Sequence, residues 1–172
     1  MRKIQVIIII VLSFVFGGCG IFWQSYTNAE YGFSMSLPRL WYKEVGSYGT
    51  VIMASSSQTS PQDRYRENIT VTVSYLPTGM SLVTYFELNR SQVFEAFEGQ
   101  EFGVMEGEIS AVGGVGRVLS FSVPAKDIIF KITSAVWMKN KRAYVVTCIS
   151  QDSEFDKYQP IFEKAMRSIR FK

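Results

Sequence analysis

Residues 128–150 read IIFKITSAVWMKNKRAYVVTCIS and form the segment that decides the fold. Two strand-like runs, Ile128 to Lys139 and Arg142 to Ser150, meet at Asn140-Lys141, which predicts a hairpin with a tight turn. The run from Tyr144 to Ile149 is apolar at odd and even positions alike. A strand of that kind is covered on both faces, so the sheet needs a further layer on each side.

Further strand-like runs lie outside this hairpin. The clearest covers Asn68 to Tyr75, where apolar and polar residues alternate with a period of two. Two strands between 102 and 123 meet at the glycine-rich segment 113–116, with the turn expected at Gly113-Gly114. This segment is interpreted as a hairpin turn rather than a phosphate loop, because strand-like residues follow it instead of a helix N-terminus. Shorter strand candidates cover 31–37, 40–45 and 50–54.

Two helices are predicted from periodicity and capping residues. Ser81 is placed to cap a helix that runs to about Phe97. The second helix starts at Ser153, which is spaced from Asp156 like a capping box, and carries an apolar stripe at helical spacing. Pro160 falls inside this second helix and is expected either to kink it or to begin its longer segment.

The N-terminus predicts an export signal with a lipid attachment site. Arg2 and Lys3 precede an apolar stretch that ends near Phe16. That stretch is too short to span a membrane, which takes about 20 apolar residues. Gly17-Gly18-Cys19 then resembles the lipobox of bacterial lipoproteins, in which lipid is attached to the thiol and cleavage leaves the cysteine first. The alternative is an ordinary secretory signal with an incidental cysteine.

These features divide the chain into a signal peptide (1–18), a lipidated tether (19–30) and one domain (31–172). Three aromatic residues make the tether more apolar than a flexible linker, so we expect it on the membrane interface or on the domain's own surface. The predicted location is the extracytoplasmic face of the cell membrane or outer membrane. Several acyl chains on Cys19 would suffice for stable anchoring there.

Composition excludes several classes of function. Two of the 18 basic residues lie in the signal, which leaves 16 against 15 acidic residues, so nucleic-acid binding is not expected. The sequence contains no histidine, which removes Ser-His-Asp triads, Cys-His dyads and the usual neutral-pH general base. With Cys19 lipidated, Cys148 has no disulfide partner, and without histidine it is interpreted as a small buried hydrophobe. We predict no cofactor and no enzymatic activity.

Basic residues at two places are candidate contacts with a partner. Arg64 and Arg66 lie in a polar loop, and Lys139, Lys141 and Arg142 lie at the predicted hairpin tip. The cluster at the tip is suited to a protein partner or to anionic lipid headgroups. An ordinary solvated turn is the alternative.

Glu106 and Glu108 are the candidates for a metal site. They are two residues apart in a predicted strand, so both carboxylates face the same way. No calcium-binding loop frames them, and a solvated acidic edge that keeps the strand soluble is the alternative.

Three motifs in the domain resemble those of the PsbP-like proteins. The motifs are Gly32-Phe-Ser-Met-Ser-Leu-Pro38 followed by Trp41, Glu67-Asn-Ile-Thr-Val71, and Phe155-Asp-Lys-Tyr-Gln-Pro-Ile-Phe-Glu163 with Ser168 and Phe171. The family comprises relatives of the oxygen-evolving enhancer subunit of photosystem II and many bacterial lipoproteins. The resemblance implies an α+β fold in which an antiparallel sheet of about six or seven strands is sandwiched between helices, as in the Mog-type proteins.

The resemblance also implies a role without catalysis. The best-known family members help to retain calcium and chloride in photosystem II, and some have a histidine implicated in metal binding, which this chain lacks. We therefore expect a membrane-tethered accessory lipoprotein that docks on a membrane complex or another envelope partner. The alternative is a module that binds a small ligand or lipid in a cleft between sheet and helix.

Overall fold

The computed structural model describes residues 21–58, 63, 65–97 and 103–172. Within these described ranges, ten strands and two α-helices follow one another. In order, they are β1 (Trp23–Asn28), β2 (Phe33–Pro38), β3 (Tyr42–Val45), β4 (Ile52–Ser55), β5 (Asn68–Tyr75), α1 (Leu82–Ala96), β6 (Met105–Ala111), β7 (Gly114–Ala125), β8 (Ile128–Lys139), β9 (Arg142–Gln151), α2 (Phe155–Arg167) and β10 (Arg170–Phe171).

Seven of the strands form one antiparallel sheet in the order β3-β4-β5-β9-β8-β7-β6. β9 lies at its centre, as its two apolar faces predict, and pairs with β5 on one side and β8 on the other. The remaining strands form a smaller sheet in the order β1-β2-β10. The predicted α+β fold with an antiparallel sheet between helices is confirmed.

The larger hydrophobic core lies on one face of the seven-stranded sheet, under α2 and the smaller sheet. Trp137 of β8 and Tyr144 of β9 are fully buried there. Phe33 of β2 packs edge-on against the Tyr144 ring, with 5.9 Å between ring centroids. The Tyr144 hydroxyl donates a hydrogen bond of 2.7 Å to the Tyr31 carbonyl. These contacts tie the smaller sheet to the main one.

The other face of the large sheet carries α1 and a smaller core. Ser81 caps the helix as predicted, since its Oγ accepts from the Thr84 N–H at 3.0 Å. Among the residues of α1, Phe86 alone is fully buried. The contact area between this helix and the sheet is therefore small.

The start of α2 differs from the prediction. A 3₁₀ turn over Asp152–Glu154 leads directly into the helix, and no side chain caps it. Ser153 lies inside that turn rather than before it, so the predicted capping box with Asp156 does not form. Pro160 lies within a helix that is continuous from Phe155 to Arg167.

Half of the segment predicted as a tether forms a strand of the smaller sheet. β1 pairs with β2 from Trp23 opposite Pro38 to Asn28 opposite Phe33. The side chains of Trp23 and Tyr26 pack against the larger core. Residues 23–28 of the segment thus lie against the domain, which is one of the two locations expected for it.

The glycine-rich segment forms a hairpin turn, as predicted, one residue earlier in the chain. Ala111 pairs with Gly114, so the turn residues are Val112 and Gly113. The Gly113 N–H donates to the Ile169 carbonyl at 2.7 Å, which joins this turn to the segment that follows α2.

Candidate functional site

The predicted basic cluster lies at the turn between β8 and β9. We call this region the hairpin end and define it as Tyr75, Lys139, Lys141, Arg142 and Lys172. Asn140 and Lys141 both have positive φ, 51° and 57°, as a tight hairpin turn requires. Lys139, Lys141 and Lys172 are exposed. Four cationic side chains therefore share one end of the molecule.

Arg142 is held in place at the hairpin end. Its guanidinium lies over the Tyr75 ring, 4.9 Å from the centroid, and donates to the Tyr75 hydroxyl at 3.1 Å. A second donation, of 3.3 Å, reaches the Glu30 carbonyl. Stacking and hydrogen bonding together fix a planar cation beside an exposed aromatic ring, an arrangement suited to a carboxylate partner.

The structure separates Arg66 from the hairpin end. Arg66 is exposed two residues before β5, whose other end is Tyr75. An eight-residue strand spans roughly 25 Å, so Arg66 and Arg142 lie at opposite ends of the sheet. Arg64 lies outside the described residues.

Glu106 and Glu108 both lie on the α1 side of the sheet edge. Glu106 forms an ion pair with Arg90 of α1. Glu108 lies opposite Arg117 of β7, whose guanidinium covers the Phe86 ring. Within the described ranges, no group of three or more potential ligand side chains could hold a metal ion. Each carboxylate thus has a cationic neighbour, as in a solvated, charge-balanced edge.

Cys148 lies in the middle of β9 and is fully buried. Burial raises the pKa of its thiol well above the ordinary value. Because the thiolate is the nucleophilic form, a buried neutral thiol is unreactive. Cys19 lies outside the described residues.

A cleft of about 280 Å³, the α1 cleft, lies between α1 and the seven-stranded sheet. Its walls are mainly apolar and include Val93, Leu119 and Phe121. Its floor contains a hydroxyl pair, Ser134 Oγ and Thr147 Oγ1, 3.0 Å apart. Sequence reasoning missed this pair, although Ser134 interrupts the apolar alternation of β8 and marks the position.

A second apolar feature lies at the end of the molecule opposite the hairpin end. We call it the N-terminal patch and define it as Ile21, Phe22, Leu40 and Trp41. These residues line one cleft of about 260 Å³. The Arg39 N–H donates to the Phe22 carbonyl at 2.7 Å, so the two contributing segments are adjacent. The aromatic residues of the tether are evident in the sequence, but the role of Leu40 is not. Leu40 comes next to Phe22 only because β1 pairs with β2.

The base of the patch cleft is polar. Ser56 and Tyr158 line it, and the buried Glu67 carboxylate accepts from Ser56 Oγ at 2.8 Å. Burial, and next the Glu67 charge, raise the pKa of Tyr158, so its hydroxyl stays protonated at neutral pH. An apolar rim thus surrounds a small group of hydrogen-bonding side chains.

Comparison with known proteins identifies the fold. No family model matches the sequence, and no curated protein matches it. Among solved structures, cyanobacterial PsbP (CyanoP) from Synechocystis superposes with a TM-score of 0.67 at 16% identity, covering 91% of this chain and 99% of CyanoP. LpqN of Mycobacterium tuberculosis, which is involved in cell envelope biogenesis, gives 0.65 at 11% identity, covering 88% and 91%. The Ran-binding protein Mog1p of Saccharomyces cerevisiae gives 0.58 at 9% identity, covering 88% and 96%.

These similarities confirm the resemblance to PsbP-like and Mog-type proteins at the level of the fold. At such identities they establish the architecture alone, because one fold supports many functions. In the part of the chain that is described, neither helix is long and apolar enough to cross a bilayer.

Proposed function

We propose that this chain is a non-catalytic accessory lipoprotein, tethered to a membrane through lipid on Cys19, that binds an envelope protein through the hairpin end. The observation that carries the proposal is the placement of two features at opposite ends of β1. Trp23, four residues after Cys19, begins the strand, and Glu30, whose carbonyl binds Arg142, follows its other end. The cationic end therefore lies the length of one strand away from Trp23, the residue at which β1 begins.

This placement favours a protein partner over lipid headgroups. The six residues of β1 span about 20 Å. Charges are screened over about 8 Å at physiological ionic strength, so the hairpin end lies outside the field of the bilayer that holds Cys19 when β1 points away from the membrane surface. Its exposed lysines and oriented arginine are then available to an acidic protein surface.

The structural neighbours support this choice. LpqN is involved in cell envelope biogenesis and Mog1p is a Ran-binding protein. The first is compatible with a role in the envelope, and the second is compatible with protein binding. Neither role needs histidine, which this sequence lacks.

Lipid anchoring is tested by replacing Cys19 with serine in the full chain. The wild-type protein is expected in the membrane fraction and in the detergent phase of a Triton X-114 separation. Cys19→Ser removes the thiol that accepts lipid, so we expect transfer to the aqueous phase. Cys148→Ala is the control and should stay with the membrane. A membrane-bound Cys19→Ser variant would contradict the proposal.

Partner binding is tested with a photo-crosslinking amino acid at Lys141, expressed in the source organism. The matched control places the same amino acid at Lys126, an exposed residue in the turn at the opposite end of β8. We expect a discrete adduct from position 141 and none from 126, and loss of that adduct in a Lys139→Glu variant. Identical adducts from both positions, or no adduct in well-expressed protein, would contradict docking through the hairpin end.

The α1 cleft favours a second candidate function, binding of a small amphipathic ligand. Its apolar walls and hydroxyl floor are the lining expected of such a site. Ala96→Trp, at the exposed rim of the cleft, should weaken binding of the fluorescent fatty acid 11-(dansylamino)undecanoic acid at least tenfold. Ser91→Trp, also exposed on α1, is the control and should bind like wild type. Absence of saturable binding to the wild-type protein would exclude this function for fatty acids.

A further inference from the structure

We infer that the N-terminal patch lies in the headgroup region of the bilayer that holds Cys19, so that the domain stands on the membrane with this end down. The inference rests on the lipid anchoring proposed above. It adds the surface that contacts the bilayer and the orientation of the domain.

The patch exposes large apolar side chains next to one another. Phe22 is 68% exposed and Leu40 is 77% exposed, and Ile21 lies beside them. Adjoining exposed apolar residues mark a surface that contacts another protein or a membrane. Aromatic and aliphatic side chains of this kind insert between lipid headgroups.

The turn that presents Leu40 is rigidly held. Lys43 Nζ donates to three carbonyls of this turn, those of Pro38 at 2.9 Å, Arg39 at 3.1 Å and Trp41 at 2.8 Å. The Trp41 ring packs against Tyr158 of α2, with 6.1 Å between centroids. Leu40 is therefore a fixed projection rather than the tip of a loose loop.

The length of chain between the patch and the lipid identifies the occupant. Cys19 lies two residues before Ile21, and two residues span at most about 7 Å. Protein layers that pack face to face, such as two stacked sheets, lie about 10 Å apart. A second copy of the chain or a partner protein would not fit between the N-terminal patch and the bilayer. Lipid on Cys19, by contrast, brings the bilayer surface itself to the patch.

Cationic side chains flank the patch on the same end of the molecule. Arg39 is exposed beside Leu40. Arg66 is exposed next to Glu67, whose carbonyl accepts from the N–H of Ser56 at 2.8 Å, and Ser56 lines the patch cleft. An apolar centre with arginines at its margin matches an interface that contains anionic headgroups.

The test uses the lipidated full chain in vesicles of phosphatidylethanolamine and phosphatidylglycerol. A bimane probe is attached through Leu40→Cys, or through Val83→Cys as the matched control. Val83 is 54% exposed on α1, on the other face of the large sheet, and native Cys148 is buried and does not react. We expect lipids that carry a spin label near the headgroup to quench the Leu40→Cys probe at least threefold more than the Val83→Cys probe. Phe22→Cys provides a second position and should behave like Leu40→Cys.

The outcomes separate the two proposals. If the protein floats with the vesicles but both probes are quenched equally, the orientation is wrong and the lipid anchor stands. If the Leu40→Cys probe is shielded from aqueous iodide without being quenched by the labelled lipid, protein covers the patch and the inference is overturned. If the protein does not float, the anchor and the orientation fail together.

Discussion

Replacing Gly116 with alanine is expected to lower the free energy of unfolding by about 3 kcal/mol, the upper range for an overpacked site. A Cβ at this buried position would lie 2.6 Å from the Val136 carbonyl oxygen and 2.6 Å from Trp137 Nε1. Val136 belongs to the adjacent strand β8, and the Trp137 ring is buried in the larger core, so neither neighbour can move aside. Chemical denaturation followed by circular dichroism measures the change.

The matched control for Gly116 is Gly107 in the paired strand β6. A Cβ there would meet only Val118 Cγ1, at an ordinary 3.7 Å. Gly107→Ala should be neutral or stabilise the protein by up to about 1 kcal/mol, because alanine restricts the unfolded chain. Equal destabilisation by both substitutions would contradict the close packing of β7 on Trp137.

Replacing Phe33 with alanine is expected to cost about 3 to 5 kcal/mol, the usual range for a buried aromatic side chain. Phe33 is fully buried, and its ring contacts Tyr26 and Tyr144, each at 5.9 Å between centroids. It therefore joins the smaller sheet to the larger one. Loss of the ring opens a cavity where the two sheets meet.

Phe22, one residue before the same sheet, is the control for Phe33. Its side chain is mostly exposed, so Phe22→Ala should change the free energy of unfolding by less than about 0.5 kcal/mol. A small effect of Phe33→Ala in the same denaturation experiment would show that the smaller sheet adds little to the stability of the domain.

The central part of the fold was predictable because its signals are local. The two apolar faces of β9 and the Asn140-Lys141 turn define the hairpin directly. β1 was missed as a strand because its apolar residues, Trp23 and Tyr26, are three apart and do not alternate. Its pairing with β2 comes from contacts with the larger core, which sequence periodicity does not record.

The candidate site was predictable only in its parts. Sequence places basic residues near 66 and near 141, but the pairing of β5 with β9 decides that they lie at opposite ends of the sheet. The α1 cleft depends on how closely α1 packs against the sheet. Phe86 alone among the residues of the helix is fully buried. Neither the order of the strands nor the distance between α1 and the sheet follows from the spacing of apolar residues.

In the inferred orientation, the pairing of β1 with β2 also determines the distance between the hairpin end and the membrane surface. A flexible tether would let the domain sample many distances from the lipid, but a hydrogen-bonded strand holds the hairpin end about 20 Å above the membrane surface in the orientation inferred above. The acidic surface of a protein partner must then lie at the same distance from the membrane. We therefore expect a partner with a folded extramembrane portion rather than one whose only exposed parts are short loops between membrane spans.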